Sequence, residues 1–204
     1  MYLFDQKTVG IVLLVLLGML VIVKQLATGS IIELPTGSRL LRLTNSFNLF
    51  FLLVVNPLAA ILLITGNAGA IDPTHMAVTA PWLAQALEIV GLVLTVIGYL
   101  FMAWALICLG RRYQLGGNAP RKTDQLTIVG PYKLVRHPMY SAVLCISLGL
   151  ACLLQSWAFL AVFVIYVVLL SGLIPVEEEG LQQAYGEPYR TYRQSVKRLI
   201  PLVY

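Results

Sequence analysis

The sequence predicts an all-α fold, a multi-span transmembrane helical bundle with about five spans, a C-terminal helical hairpin and a cytoplasmic amphipathic tail helix. Three observations carry that prediction. The 204 residues are 59% hydrophobic and only 11% charged, with a mean hydropathy of +0.84, whereas soluble domains carry about 25% charged residues. The apolar residues come in continuous runs rather than in alternation, and in lipid a continuous run satisfies its backbone as a helix. The basic residues are confined to alternate connections, the pattern that orients helices in a bilayer. A net charge of +5, from 14 Lys and Arg against 9 Asp and Glu, is therefore read as orienting charge, and no nucleic-acid partner is expected.

A span needs about 20 apolar residues at about 1.5 Å of rise each. Thr8–Val23 carries no charge and is bounded by Lys24. With no convincing cleavage site after it, this run reads as a retained first span rather than a signal peptide. The second charge-free stretch, Leu43–Ile71, is expected to be helical over Phe47–Ile64 with a kink at Asn56–Pro57, because proline removes a helical N–H. The third, Trp82–Leu109, contains one charge, Glu88, and sets Gly91, Thr95 and Gly98 on one face. Such small residues let membrane helices approach closely. Pro138–Val176 is too long for one span, and Gln155–Ser156 divides it into Pro138–Leu154 and Trp157–Ile174.

Five passes follow, and the charges give them a direction. Gly110–Arg136 holds Arg111, Arg112, Arg121, Lys122, Lys133 and Arg136; the tail holds Arg190, Arg193, Lys197 and Arg198; Thr65–Pro81 holds no Lys or Arg. An outside N-terminus and a cytoplasmic C-terminus put every basic segment on one side, in the inner (plasma) membrane if the protein is prokaryotic. The chain reads as a single membrane domain over 1–204, with three N-terminal spans in 1–109. The remainder, 110–204, holds a loop, the hairpin and the tail. In that tail Tyr189, Tyr192, Val196 and Leu199 recur at helical spacing, with Arg190, Arg193 and Lys197 on another face, as in an interfacial helix. Cys108, Cys145 and Cys152 lie inside apolar runs without a CxxC pair, so neither disulfides nor metal ligands are expected.

Two clusters on the cytoplasmic side can carry chemistry. In Gly130-Pro-Tyr-Lys-Leu-Val-Arg136-His137-Pro138-Met-Tyr140, Pro138 suits the first turn of a helix and His137 is pushed toward extended geometry. The free N–H groups of that helix start, beside Arg136, favour an anion; a capped basic start at a membrane surface is the plainer reading. In Pro175-Val-Glu177-Glu178-Glu179, the acids suit a first helical turn after a proline. Three adjacent carboxylates also require neutralisation, by a cationic ligand or by the Arg136 region.

His137-Pro138-x-Tyr140, preceded by Gly130-x-Tyr132, is followed by Glu177-Glu178, Tyr185-Gly186-x-x-Tyr189-x-x-Tyr192 and Arg198-x-Ile200-Pro201. This set, in order and register, resembles the isoprenylcysteine carboxyl methyltransferase family over roughly Leu126 to Pro201. The resemblance implies a membrane-embedded methyltransferase that uses S-adenosylmethionine, held under the C-terminal segment. Its acceptor would be hydrophobic or lipid-like and would enter sideways from the bilayer, with membrane lipids as its other partners. Carried over by position, the cofactor contacts fall on Leu126, Thr127, Tyr132, His137, Pro138, Tyr140 and Glu177. Glu178 and Arg136 are the expected catalytic-site pair, Glu178 completing the paired acids. The family's loop has a His where this chain has Asp124-Gln125. The family's substrate-carboxylate Arg, four residues before the first acid, matches Leu173 here, and leucine cannot hold a carboxylate. A compensating Arg111 or Arg193 stays open.

Two alternatives remain. Sterol reductases share an Arg-His-Pro and Tyr-Gly pattern, which admits an NADPH-dependent membrane reductase; a non-catalytic scaffold of the same shape is the other. Glu88 reads equally as a functional intramembrane acid or as interfacial, and His75, in the outer loop, is expected to be solvated. Tyr99, Trp104 and Tyr166 are candidates for a lipid-access tunnel or for simple packing.

Overall fold

The computed structural model describes residues 3–32, 38–66, 68–113 and 125–200. Arg121, Lys122, Asp124 and Pro201, which the sequence argument used, lie outside the described residues. The order is α1 (Gln6–Thr28), α2 (Arg39–Phe50), a π segment (Phe51–Val55), α3 (Asn56–Thr65) and a single turn, α4 (Ala68–Ile71). Then come α5 (Pro81–Leu109), α6 (Pro138–Leu154), α7 (Trp157–Tyr185) and α8 (Glu187–Ser195). Among the described residues, four helical stretches are long and apolar enough to cross a membrane: α1, α2 through α3, α5 and α7; α6 is apolar but has 17 residues. These five stretches fall where the five passes were expected, and they are those of an integral, multi-pass membrane protein. Ile11, Val15, Met19, Ile22, Val93, Ile97, Leu100, Val164 and Val168 are exposed, a surface that only lipid can solvate favourably.

The closest helix pairing is α5 against α6, and its small residues explain it. A Cβ on Gly91 would lie 2.7 Å from the Leu153 nitrogen, and one on Gly98 would lie 2.9 Å from the Ala142 carbonyl. Glycine is therefore required for the backbones to touch. The α6–α7 hairpin turns where expected, on Gln155 in the left-handed conformation (φ 48°), with the Ser156 hydroxyl accepting from the Phe159 N–H to start α7.

The second pass departs from expectation in its length and in how it treats Pro57. Helix begins at Arg39, capped by Ser38, and a five-residue π segment precedes Pro57 in place of a simple kink. A proline clashes with the carbonyl four residues back; widening the preceding turn absorbs that clash. Asn56 then fills the irregularity. Its Nδ2 donates to the Phe51 carbonyl at 2.8 Å, and its Oδ1 accepts from the Tyr99 hydroxyl of α5 at 2.6 Å.

Three other expectations are corrected, and Glu88, left open between two readings, finds its partners. Pro175 lies inside α7, which continues unbroken to Tyr185, so Glu177–Glu179 extend a span and do not open a new helix. The tail helix ends at Ser195, and Val196 is extended; Val196, Lys197 and Leu199 therefore share no helix face with Tyr189. Tyr189 and Tyr192 are buried against the protein, rather than presented to a bilayer surface. His75 is half-buried and its Nδ1 lies 3.1 Å from the Leu154 carbonyl, tying the loop before α5 to the hairpin turn. Glu88 is fully buried and accepts from the Leu3 N–H at 2.6 Å, the Phe4 N–H at 3.3 Å and Gln6 Nε2 at 2.6 Å. It anchors the segment that leads into α1, at the opposite end of α5 from the Arg136 cluster.

Candidate functional site

Three short stretches converge at one end of the bundle, and backbone pairing sets their register. The Arg136 N–H donates to the Lys197 carbonyl at 2.7 Å and the His137 N–H to the Arg198 carbonyl at 3.0 Å. The chain after α8 thus lies alongside the residues that open α6, with Pro138 in its first turn. Ser141 Oγ adds a bond to the Leu199 carbonyl at 2.7 Å. The Tyr192 hydroxyl reaches back to the Tyr132 carbonyl at 2.6 Å, which fastens α8 over the 3-10 turn Gly130–Lys133.

The two neighbouring acids have different surroundings. Glu178, 2% exposed, sits in a cluster of cations: Arg136 Nη2 at 2.6 Å, Arg198 Nη2 at 3.0 Å and Arg193 Nε at 3.9 Å. His137 Nε2 is 3.4 Å from the same carboxylate. Arg136 spends its remaining donors on the carbonyls of Arg193 and Val196. Glu178 and Arg136, the expected catalytic-site pair, thus bind one another and the tail. Glu177 is the more open acid, with a side chain 22% exposed. Its Oε2 lies 3.6 Å from His137 Nδ1, outside hydrogen-bond reach, and is buried without a hydrogen-bond partner among the described residues.

A cavity of about 290 Å³ opens beside this cluster. Every expected cofactor residue lines it, namely Leu126, Thr127, Tyr132, His137, Pro138, Tyr140 and Glu177, together with Arg136. Glu178 does not line it, and Leu173 lies fully buried in the apolar core away from it. The His137 and Tyr140 rings stack with centroids 5.4 Å apart. The hydroxyls of Tyr140 and Tyr189 are buried with no partner among the described residues, like Glu177 Oε2. Burial, reinforced by the nearby Glu178 charge, pushes the Tyr189 phenol up to about 12, and burial likewise raises Tyr132. Both stay neutral hydrogen-bonding groups at physiological pH.

From this polar end the cavity runs into the bundle. Its lining passes from Tyr140 to Val143 and Ile146 on α6 and from Leu109 to Leu106, Met102 and Tyr99 on α5. Ile146 is eight residues beyond Pro138, about 12 Å along the helix. Leu17 and Leu20 of α1, Phe51 of the π segment and Tyr166 of α7 complete the inner part. Trp104 is 44% exposed and faces outward. Of the arginines proposed to compensate for Leu173, neither Arg111 nor Arg193 lines the cavity; Arg112 does, donating to Thr127 Oγ1 at 3.0 Å. Its role had no separate signal in a run of two arginines. Tyr189 and Tyr192 were legible only as part of the motif set. Among the described residues no group of three or more His, Cys, Asp or Glu is placed to hold a metal, and the three cysteines are free thiols.

The phospholipid methyltransferase family profile matches residues 87–188, half of the chain. Protein-S-isoprenylcysteine O-methyltransferase B of Arabidopsis thaliana is 30% identical over 115 residues, covering 55% of this chain and 58% of the relative. A probable protein-S-isoprenylcysteine O-methyltransferase of Oryza sativa subsp. indica is 30% identical over 116 residues, covering 56% and 61%. The chain thus spans about 60% of these relatives' lengths. The solved structure of the eukaryotic intramembrane Ras methyltransferase, isoprenylcysteine carboxyl methyltransferase, matches with a TM-score of 0.55 at 17% identity, covering 92% of this chain and 74% of that one. That likeness extends the shared fold across the N-terminal passes, where the motif set is silent. With the family profile running from within α5 to the start of α8 over half of the chain, the chain belongs to the phospholipid methyltransferase family, and it is similar to isoprenylcysteine O-methyltransferases.

Proposed function

We propose that this protein transfers a methyl group from S-adenosylmethionine to a hydrophobic or lipid-like acceptor within the membrane. The observation that carries the reading is the cavity itself, polar where His137, Tyr140 and Glu177 meet and apolar where it enters the bundle. The residues present fit the cofactor. A carboxylate oxygen and two phenols are buried there without hydrogen-bond partners among the described residues, which is costly unless a ligand supplies them, and an acid beside a cationic sulfonium is favourable. When bound, the cofactor supplies an electrophilic methyl group.

The chain's own residues then position and exclude. Glu177 and Tyr140 offer hydrogen-bond acceptors to the cofactor's polar groups, and Leu126, Thr127, Tyr132, His137 and Pro138 wall the site. Glu178 acts as a positioning residue, since it holds the tail across the cavity without lining it, and Arg136 joins that clamp while also lining the cavity. Excluding water and fixing an in-line approach are the main contributions a protein makes to a displacement of this kind. No general base is assigned; a carboxylate acceptor needs none, whereas a thiol, amine or phenol does. The polar end faces the cytoplasm in the orientation given by the basic loops, with the N-terminus outside. The single domain divides functionally at about residue 110, the second part supplying most of the cofactor side.

Saturation binding with S-adenosylhomocysteine and with NADPH, in purified detergent-solubilised protein, tests the reading. Binding of the first alone is expected, weakened about fivefold or more in His137→Ala and Glu177→Ala. Binding of NADPH instead supports the reductase; binding of neither, in a folded sample, supports the scaffold.

A further inference from the structure

The inner part of the cavity is not uniformly apolar, and its polar groups are surplus to the fold. Asn48, on α2, lines the cavity half-buried, and its amide makes no hydrogen bond with any described residue. The Tyr166 hydroxyl, on α7, belongs to a fully buried residue of the same lining and has no partner among the described residues. The two lie at similar depth, since the Tyr166 ring packs edge-on against Phe47 at 4.8 Å and Phe51 at 5.1 Å. By contrast Asn56 and Tyr99, also lining the cavity, satisfy one another. An amide and a phenol left unpaired at membrane depth are unfavourable, and intramembrane polar groups beside a cavity mark what passes through it.

Tyr166 precedes Glu177 by eleven residues, about 16 Å along α7. Resting on the proposed methyl transfer, we propose that the acceptor is a neutral lipid carrying a hydrogen-bonding oxygen (hydroxyl or carbonyl) part-way down its chain. Asn48 and Tyr166 bind that oxygen, at a depth of about 16 Å below the polar end. A plain hydrocarbon or isoprenoid tail leaves both groups unpaired and is selected against. This agrees with Leu173, which offers nothing to a terminal carboxylate: recognition has moved from the head of the acceptor to its chain.

A matched pair of probes tests this without requiring turnover. Octadecan-1-ol and octadecane-1,12-diol differ by one hydroxyl, which in the diol lies at about the required depth. Their apparent affinities are read from the shift in unfolding temperature on titration into detergent-solubilised protein. The wild type is expected to prefer the diol about five- to tenfold, as for one buried hydrogen bond. Asn48→Leu and Tyr166→Phe should each remove most of that preference while holding octadecan-1-ol as well as before. The second removes a single oxygen atom and so guards against a folding failure of the first. Equal binding of the two alcohols by the wild type, or a preference that survives in both variants, overturns the proposal. Because neither alcohol reports on the cofactor, loss of S-adenosylhomocysteine binding would refute the methyltransferase reading and leave this result standing.

Discussion

Glu177 and Glu178 are neighbours in sequence, and replacing each by alanine should give opposite signatures. Glu178 is 2% exposed and neutralises Arg136, itself 7% exposed, at 2.6 Å, with Arg198 at 3.0 Å. Removing the carboxylate leaves a buried guanidinium whose remaining partners are the carbonyls of Arg193 and Val196. Breaking a buried pair in this way costs about 3–5 kcal/mol. Glu177 Oε2 has no hydrogen bond among the described residues to lose, so Glu177→Ala should change stability by less than about 1 kcal/mol while weakening cofactor binding about fivefold or more. The assay is thermal unfolding of both variants in detergent, with hydrogen exchange at the amides of Arg136 and His137. These amides donate to the Lys197 and Arg198 carbonyls and should lose protection only in Glu178→Ala. A Glu178 variant as stable as the Glu177 variant, with both amides still protected, would refute the claim that this cluster clamps the tail.

Other outcomes follow from packing and polarity. Gly91→Ala pushes a Cβ to 2.7 Å from the Leu153 backbone and should destabilise the α5–α6 pair by about 1–3 kcal/mol, whereas Gly18→Ala, with nothing within 4 Å, should not destabilise; comparing unfolding temperatures decides it. Tyr99→Phe removes the bond to Asn56 and should cost about 1 kcal/mol, visible in the same assay. Single cysteines at Thr79 and Lys133, both exposed, should label from opposite faces of the membrane in a background free of native cysteines; labelling of both from one side contradicts the five-pass topology. The motif set puts Leu173 at the family's carboxylate-binding arginine, and Leu173 lies in the core outside the cavity lining, so N-acetyl-farnesylcysteine should be a poor methyl acceptor; efficient turnover by the unmodified protein restores the family's own substrate class.

What the sequence made legible was whatever depends on local pattern. Hydrophobic run length located the five apolar helical stretches, and Gln155–Ser156 marked the hairpin turn, because lipid leaves the backbone few alternatives. The face of Gly91, Thr95 and Gly98 was readable as a contact, and the cavity collects all seven expected cofactor residues. What escaped were features settled by distant partners. Proline normally ends a helix, so α7 was expected to stop before Glu177. In the fold, Glu178 is fixed by Arg136 and Arg198, interactions that favour helical continuity through Pro175. The same cluster draws the tail into extended pairing with Val135–His137, overriding the helical spacing of Val196 and Leu199. Glu88 was ambiguous and His75 was wrongly expected to be solvated because their partners at Leu3 and Leu154 are backbone groups far along the chain, which no side-chain pattern reveals.

The most direct test of methyl transfer to a lipid is to follow the methyl group. Purified protein is incubated with methyl-labelled S-adenosylmethionine and a total lipid extract, and label is counted in the apolar phase. With cofactor held below saturation, the account predicts label in a discrete lipid fraction with the wild type and several-fold less with Glu177→Ala. Tight cofactor binding with no label in any lipid fraction, or equal label from the Glu177 variant, would contradict it.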